Sequence, residues 1–316
     1  MLTILDPNSL LGQELVEAVV HGLPEVRRRF FHTRGTEEHL IAEVAGEPVL
    51  VPPLNNLDEL EGCSVVALTA SLPAALAGPL LEWLRRHPAV HLLDGTQPGV
   101  AGSEAACVAL SVPPSHGRLR WFHLADPALA GPVRLLAALA PLGPMELHAT
   151  LILPVSGLGA DAVEELAAQG ASRLSGHSPR AARYLPSVLA FDLMPAATEG
   201  AAALEAQLAE LAPTMAATVH LAHAGVFHGH IASVGVRCAQ ATTAEEARAL
   251  VRAHPSLRLA RRTERLHVSA TSGADQVTVG QLRVCGDWVW AWVAADGLRL
   301  SGADTALSLL AAVLAS

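Results

Sequence analysis

Residues 223–230, HAGVFHGH, place three of the chain's 15 histidines within eight positions and run directly into the apolar alternation IASVGV. Such a cluster is compatible with a metal site, with an acid–base group and its helpers, or with neither. In an extended strand His228 and His230 share one face while His223 points to the other, so the best metal spacing is a lone His-x-His pair. No CxxC or HExxH motif accompanies it, and no metal site is expected. The other nucleophile candidates are equally bare of partners. Cys63, Cys107, Cys238 and Cys285 lie far apart, without disulfide or zinc spacing, and are expected as small buried hydrophobes. No serine sits in GxSxG, and PVSGLG (154–159) reads as a turn entering a helix. All 21 basic residues are arginine, which excludes any chemistry that needs a Schiff-base or phosphate-gripping lysine.

The elements that must position these groups change character midway. LTIL (2–5), VRRRFFHT, SVVALTA (64–70) and AVHLLDGT (89–96) read as strands, alternating with helices over 9–22 and 73–87; Ser9 caps the first helix. That alternation predicts a parallel, doubly wound sheet, which binds ligands beyond the carboxyl ends of its strands. After GPVRLLAALAPLG (131–143), period-two strands appear at 145–157, 218–239 and 265–295, with covering helices in DAVEELAAQGAS, EGAAALEAQLAELAP and TAEEARALVRAH. They predict a largely antiparallel second sheet. SGADTALSLLAAVLA (301–315) reads as a helix returning to the first domain. The fold class is therefore α/β plus α+β, with domains at 1–128 and 129–297 and a C-terminal helix at 298–316.

At 316 residues, with 51% hydrophobic and 16% charged residues and a formal net charge of −9, the chain has enough apolar sequence for two cores. The charge disfavours nucleic acid and acidic surfaces as partners. No run of about 18 apolar residues could span a bilayer, and MLTILDPNS lacks the features of a signal peptide, so a cytoplasmic protein away from membranes is expected. A dinucleotide fold would place its phosphate loop in the first strand–helix turn, DPNSLLG (6–12). Asp6 would repel phosphate and Pro7 has no N–H, which leaves Gly12 as the one cofactor candidate there. Arg34, after the second strand, stands where an arginine can accept the 2′-phosphate of NADP.

Five segments in order, LLGQELVEAV, PVSGLGADAVEELAAQ, AFDLMPAATEG, GVFHGHIASVGV and VGQLRV with WVAADGLRLSGA, resemble the aspartate-semialdehyde dehydrogenase family over nearly the whole chain. The family forms are a GATGxVG loop, VSGAGxxGxxEL, AFNxIP, RxPVxxGH and DNxxxGAA. The resemblance implies an NADP-binding Rossmann domain, an α+β domain that supplies catalysis and dimer contacts, and reductive dephosphorylation of an acyl phosphate through a cysteine thiolate, a histidine and substrate-holding cations. Position by position, that machinery is missing. The family's ANPNCST segment corresponds to ADPALAG (125–131), so Leu129 fills the nucleophile position. Leu153 replaces a glutamine, His223 the substrate-clamping arginine, and Val100 the arginine after the DNSS-like strand end; the substrate-gripping lysine has no counterpart. Of the cofactor asparagine region only Gly297 remains. His230 alone keeps its place, that of the catalytic base. Cys107, 22 residues upstream of Leu129 in the apolar run SEAACVALSV, is expected as an inert thiol rather than a substitute nucleophile.

The resemblance is closest to catalytically degenerate, cysteine-lacking paralogues. The expected protein is a homodimer that has lost acyl transfer and binds a small molecule in the old cleft or a protein partner. The alternative is an active NADP-dependent oxidoreductase on an altered substrate, with His230 as acid or base and no covalent step.

Overall fold

The computed structural model describes residues 1–109 and 120–314. Residues 110–112 of SEAACVALSV and residue 315 of the last helix fall outside them. The chain divides into two compact units, residues 1–125 with 301–316, and residues 126–300.

In the first unit, β1 (Leu2–Leu5) is buried at every position, as the run LTIL requires of a central parallel strand. It is followed by α1 (Leu10–Gly22), whose N-cap Ser9 accepts from the Gly12 amide, and by β2 (Arg28–Phe31). A hairpin of β3 (Leu40–Val44) and β4 (Glu47–Val51) turns through Ala45 and Gly46, both at positive φ. Then come β5 (Val65–Leu68), α2 (Ala74–Arg86), β6 (His91–Asp94), β7 (Ala106–Val108) and β8 (Trp121–Leu124). The main sheet has the order β2-β1-β5-β6-β8-β7 and its pairings are parallel. Its order reverses between β1 and β5, the switch point of a doubly wound fold.

The second unit runs α3 (Ala130–Leu139), β9 (Pro144–Leu153), α4 (Ala160–Leu174), β10 (Leu193–Pro195), α5 (Thr198–Leu211), β11 (Ala216–Ala224), β12 (His230–Cys238), α6 (Ala244–Ala253), β13 (Leu257–Leu259), β14 (Val277–Cys285) and β15 (Trp288–Ala295). Its sheet has the order β10-β11-β9-β12-β15-β14-β13, antiparallel except at β11–β9 and β13–β14. One face is apolar across the register Val219, Ala149, Val234, Ala291, all buried. The other presents half-buried Trp288, Trp290 and Trp292. The chain then passes through a π-helical turn, Leu298–Asp304, into α7 (Thr305–Leu314). Ala306, Leu309 and Leu310 of α7 join Leu15, Val16 and Val19 of α1 in the first unit's core.

Three expectations need correction. HAGVFHGH is not one strand: β11 ends at Ala224, residues 225–229 turn, and β12 begins at His230 on the far side of β9. Residues 265–276 form a 3-10 turn at Val268–Ala270 rather than strand. Cys285 is exposed and Cys107 half-buried, whereas Cys63 and Cys238 are buried as expected. The hairpin over 40–51 had no counterpart in the sequence reading.

Candidate functional site

The two sheet corrections bring the singled-out residues together. Parallel pairing sets His223 of β11 against Leu153 of β9. The antiparallel β9–β12 register ends at Ile231↔Ile152, one position short of Leu153 and His230, and His230 pairs with Ala295 of β15. His223, Leu153, His230 and Ala295 thus form one row at the end of the apolar face, with His223 and His230 on the same side. His228 lies in the intervening turn.

Backbone contacts gather the remaining segments around that row. The amides of Val155 and Ser156 donate to the carbonyls of Val226 and Phe227, which ties PVSGLG to the histidine turn. Gly225 N–H donates to Asp192 O, joining AFDLMP to the same turn. Gly225 fits because a Cβ there would stand 2.3 Å from Leu189 O. At Gly229, φ is +73°, a conformation that an L side chain rarely adopts.

A 3-10 turn at Pro127–Leu129 leads into α3 and is capped by Asp126, whose carboxylate accepts from Ala128 N–H at 2.8 Å. Leu129 is fully buried. Gly131 in the first turn of α3 sits against the sheet: a Cβ there would meet Val293 Cγ2 at 2.7 Å and lie 3.9 Å from His230 Nε2. The His230 Nε2 therefore lies beside the first turn of α3, close after Leu129 in the chain. The ring is 2% exposed and its Nε2 is a buried atom with no hydrogen-bond partner. Burial pushes its pKa down to about 4; Asp296 opposes that shift and Arg134 adds to it. At neutral pH His230 is an uncharged imidazole. Burial lowers the pKa of His223 as well, and its Nδ1 is also buried without a partner.

Asp296 and Arg134 escaped the sequence reading. Asp296 accepts from the amides of Gly273 at 2.9 Å and Arg299 at 3.3 Å. Arg134 is 4% exposed and donates to the carbonyls of Ala130 and Leu300. The signal for Arg134 was a single charge inside the apolar helix GPVRLLAALA, a place where an arginine must find partners. Gly297, next to Asp296, is pressed onto the 3-10 turn: a Cβ would stand 2.3 Å from Pro127 O.

In the first unit, the β1–α1 turn is closed on itself. Asp6 adopts φ +57°, and its carboxylate accepts from Thr33 N–H at 2.9 Å and Thr33 Oγ at 2.6 Å, which binds the ends of β1 and β2. Thr69, just beyond β5, shares its hydroxyl proton between the carbonyls of Leu5 and Asp6, both at 2.7 Å, and Ser9 Oγ lies 2.9 Å from Thr69 Oγ. These groups sit at the switch point. Gly12 packs on the turn, since a Cβ would meet Asp6 O at 2.6 Å and Pro7 O at 2.7 Å. Arg34 is exposed beside Thr33. Val100 donates its amide to buried Asp94, a contact of loop structure. Cys107 pairs in register with His123 on β8. Among the described residues no group of three or more His, Cys, Asp or Glu is arranged to hold a metal, and no helix is long and apolar enough to cross a membrane.

Residues 136–300 match the family description "semialdehyde dehydrogenase, dimerisation domain". A USG-1 protein homolog of Azotobacter vinelandii is 28% identical over 262 residues, covering 78% of this chain and 71% of the relative. Aspartate semialdehyde dehydrogenase II of Vibrio cholerae, solved with ASA, superposes with a TM-score of 0.87 at 18% identity, over 99% of this chain and 97% of that one. Aspartate semialdehyde dehydrogenase of Candida albicans, solved with NADP, gives 0.70 at 16% identity, over 99% and 98%. At these identities the solved structures establish the fold.

Proposed function

The chain belongs to the semialdehyde dehydrogenase family, and from that premise we propose that it has kept the family's scaffold and lost its acyl-phosphate and aldehyde chemistry, so that it serves as a binding or partner protein. One observation carries this reading: Leu129, at the position the resemblance gives to the nucleophile, is fully buried two residues before Gly131, which lies beside His230 Nε2. A leucine offers no electron pair to attack a carbonyl carbon. The neighbouring substitutions support the same conclusion. Leu153 and His223 occupy the row where polar substrate contacts would stand, and His223 lacks the fixed charge and bidentate fork with which arginine holds a carboxylate.

The first unit's turn does not fit a pyrophosphate. The Asp6 carboxylate occupies the turn, Pro7 supplies no amide, and Thr69 and Ser9 fill the switch-point crevice with bonds to each other and to the backbone. Gly12 serves helix packing, leaving Arg34 as the one cofactor candidate that faces solvent.

Self-association is supported by the exposed face of the second sheet. Trp288 stacks on Trp290 with centroids 5.6 Å apart, His148 lies 5.0 Å from Trp288, and Trp290 covers Gly235. Three half-exposed tryptophans on one face form a surface that a second copy would bury. We read the protein as a homodimer formed there.

The unpartnered Nε2 of His230 favours a second reading, an NADP-dependent oxidoreductase that uses this ring as acid or base without a covalent step. Titrating NADP and NADPH into the purified protein separates the two. The proposal predicts no fluorescence change and no thermal shift at millimolar nucleotide. Saturable binding weakened by Arg34→Ala would overturn it in favour of the oxidoreductase.

A further inference from the structure

Asp94 of β6, His123 of β8 and Cys107 of β7 stand in one row of the first unit's parallel sheet, Asp94↔His123↔Cys107. Parallel partners carry their side chains on the same face, and neighbouring strands lie about 4.8 Å apart, so the thiol and the imidazole are neighbours. Cys107 is half-buried rather than enclosed, and β7 is the last strand of its sheet among the described residues.

The imidazole is held in one orientation. Its Nε2 lies 2.9 Å from Thr96 O; a carbonyl only accepts, so the proton sits on Nε2 and the neutral ring keeps its lone pair on Nδ1. Thr96 is fixed in turn by fully buried Asp94, whose carboxylate accepts from Thr96 N–H at 2.9 Å, Thr96 Oγ1 at 2.6 Å and Val100 N–H at 2.6 Å. Gly99 closes that loop onto the ring, since a Cβ there would stand 2.8 Å from His123 Cδ2. The other three cysteines stand differently. Cys63 and Cys238 are buried, and burial pushes both thiols' pKa up. Cys285 is exposed, but its register partner is Trp288. A thiol that is only half-buried and has an imidazole beside it is the setting in which a thiolate becomes available.

We propose that Cys107 and His123 form a reactive thiol–imidazole pair that exchanges with low-molecular-weight disulfides, so that β7 carries a reversible mixed disulfide. His123 Nδ1 accepts the thiol proton, and the thiolate attacks one sulfur of the disulfide RSSR. A bond forms between Cys107 Sγ and that sulfur, the RS–SR bond breaks, and the leaving thiolate takes the proton from the imidazolium to depart as RSH. The disulfide is itself the oxidant, and the reverse exchange with a free thiol restores Cys107. The pair lies within the first unit and does not depend on how the His230 region is read.

Exposing the full chain to hydroxyethyl disulfide, a small uncharged probe, and following each cysteine by peptide mass mapping over time tests the proposal. At neutral pH Cys107 is expected to react about tenfold faster than Cys285, the more exposed thiol, because a neighbouring base raises the thiolate fraction. His123→Gln keeps an amide donor for Thr96 O but removes the base. It is expected to bring Cys107 down to the rate of Cys285 or below, and to move the rise of that rate about one pH unit higher, a shift that altered packing alone would not produce. The wild-type comparison of the two cysteines needs no variant, so it stands even if His123→Gln fails to fold. Equal or faster reaction at Cys285 in the wild type overturns the proposal, as does a folded His123→Gln whose Cys107 keeps the wild-type rate and pH profile.

Discussion

His230 and its surroundings make a prediction that depends on one proton. The folded ring has a pKa of about 4 and an unfolded histidine one of about 6.5, so between those values the unfolded chain binds the proton that the folded chain refuses. Stability is complete above about pH 6.5 and falls as the pH drops toward 4, by on the order of 3 kcal/mol from this residue. Urea unfolding of the wild type and His230→Gln as a function of pH checks it: the variant should lose about one proton of linkage over that window. Equal slopes would contradict the burial argument. Gly297 stands where the resemblance implies a cofactor asparagine. Restoring asparagine there forces a Cβ to 2.3 Å from Pro127 O, and Gly297→Asn should destabilise by about 1–3 kcal/mol, read as a lowered Tm.

At the scale of elements, legibility followed burial. LTIL and SVVALTA were readable because central parallel strands are continuously apolar, and Ser9 because a cap has a local signature. The β3–β4 hairpin was missed because its strands lie in a separate two-stranded sheet, with Ile41 and Leu50 exposed, and therefore carry little alternation. HAGVFHGH misled because its turn uses Gly225 and Gly229 between residues of strand-like character, so the histidines could be counted but their faces could not be assigned. The ordered motifs singled out His230 and Leu129, and the structure buries both. Asp296 and Arg134 were not singled out, because part of what holds each, Gly273 for the one and Leu300 for the other, comes from far along the chain. The β1–α1 turn makes its own prediction. Asp6 holds β2 through two bonds to Thr33 at positive φ, so Asp6→Ala should cost about 3 kcal/mol in urea unfolding. A turn poised to receive phosphate would instead tolerate loss of that charge.

For the whole molecule, the proposal is that two sheets have kept the family's topology while the chemistry at their ends has changed. The tryptophan face of the second sheet predicts a dimer, and Trp290→Arg, which sets a charge over Gly235, should yield monomers by sedimentation while leaving the far-UV spectrum intact. The central claim is that the scaffold survives without acyl transfer. Its most direct test is phosphate-dependent oxidation of aspartate semialdehyde with NADP, followed at 340 nm, for the wild type and Leu129→Cys side by side. A thiol restored at a fully buried position would still lack the substrate arginine, the glutamine and a fitting phosphate turn, so both proteins are predicted to show only the background rate. Turnover by the wild type, or its rescue by that single substitution, would contradict the account.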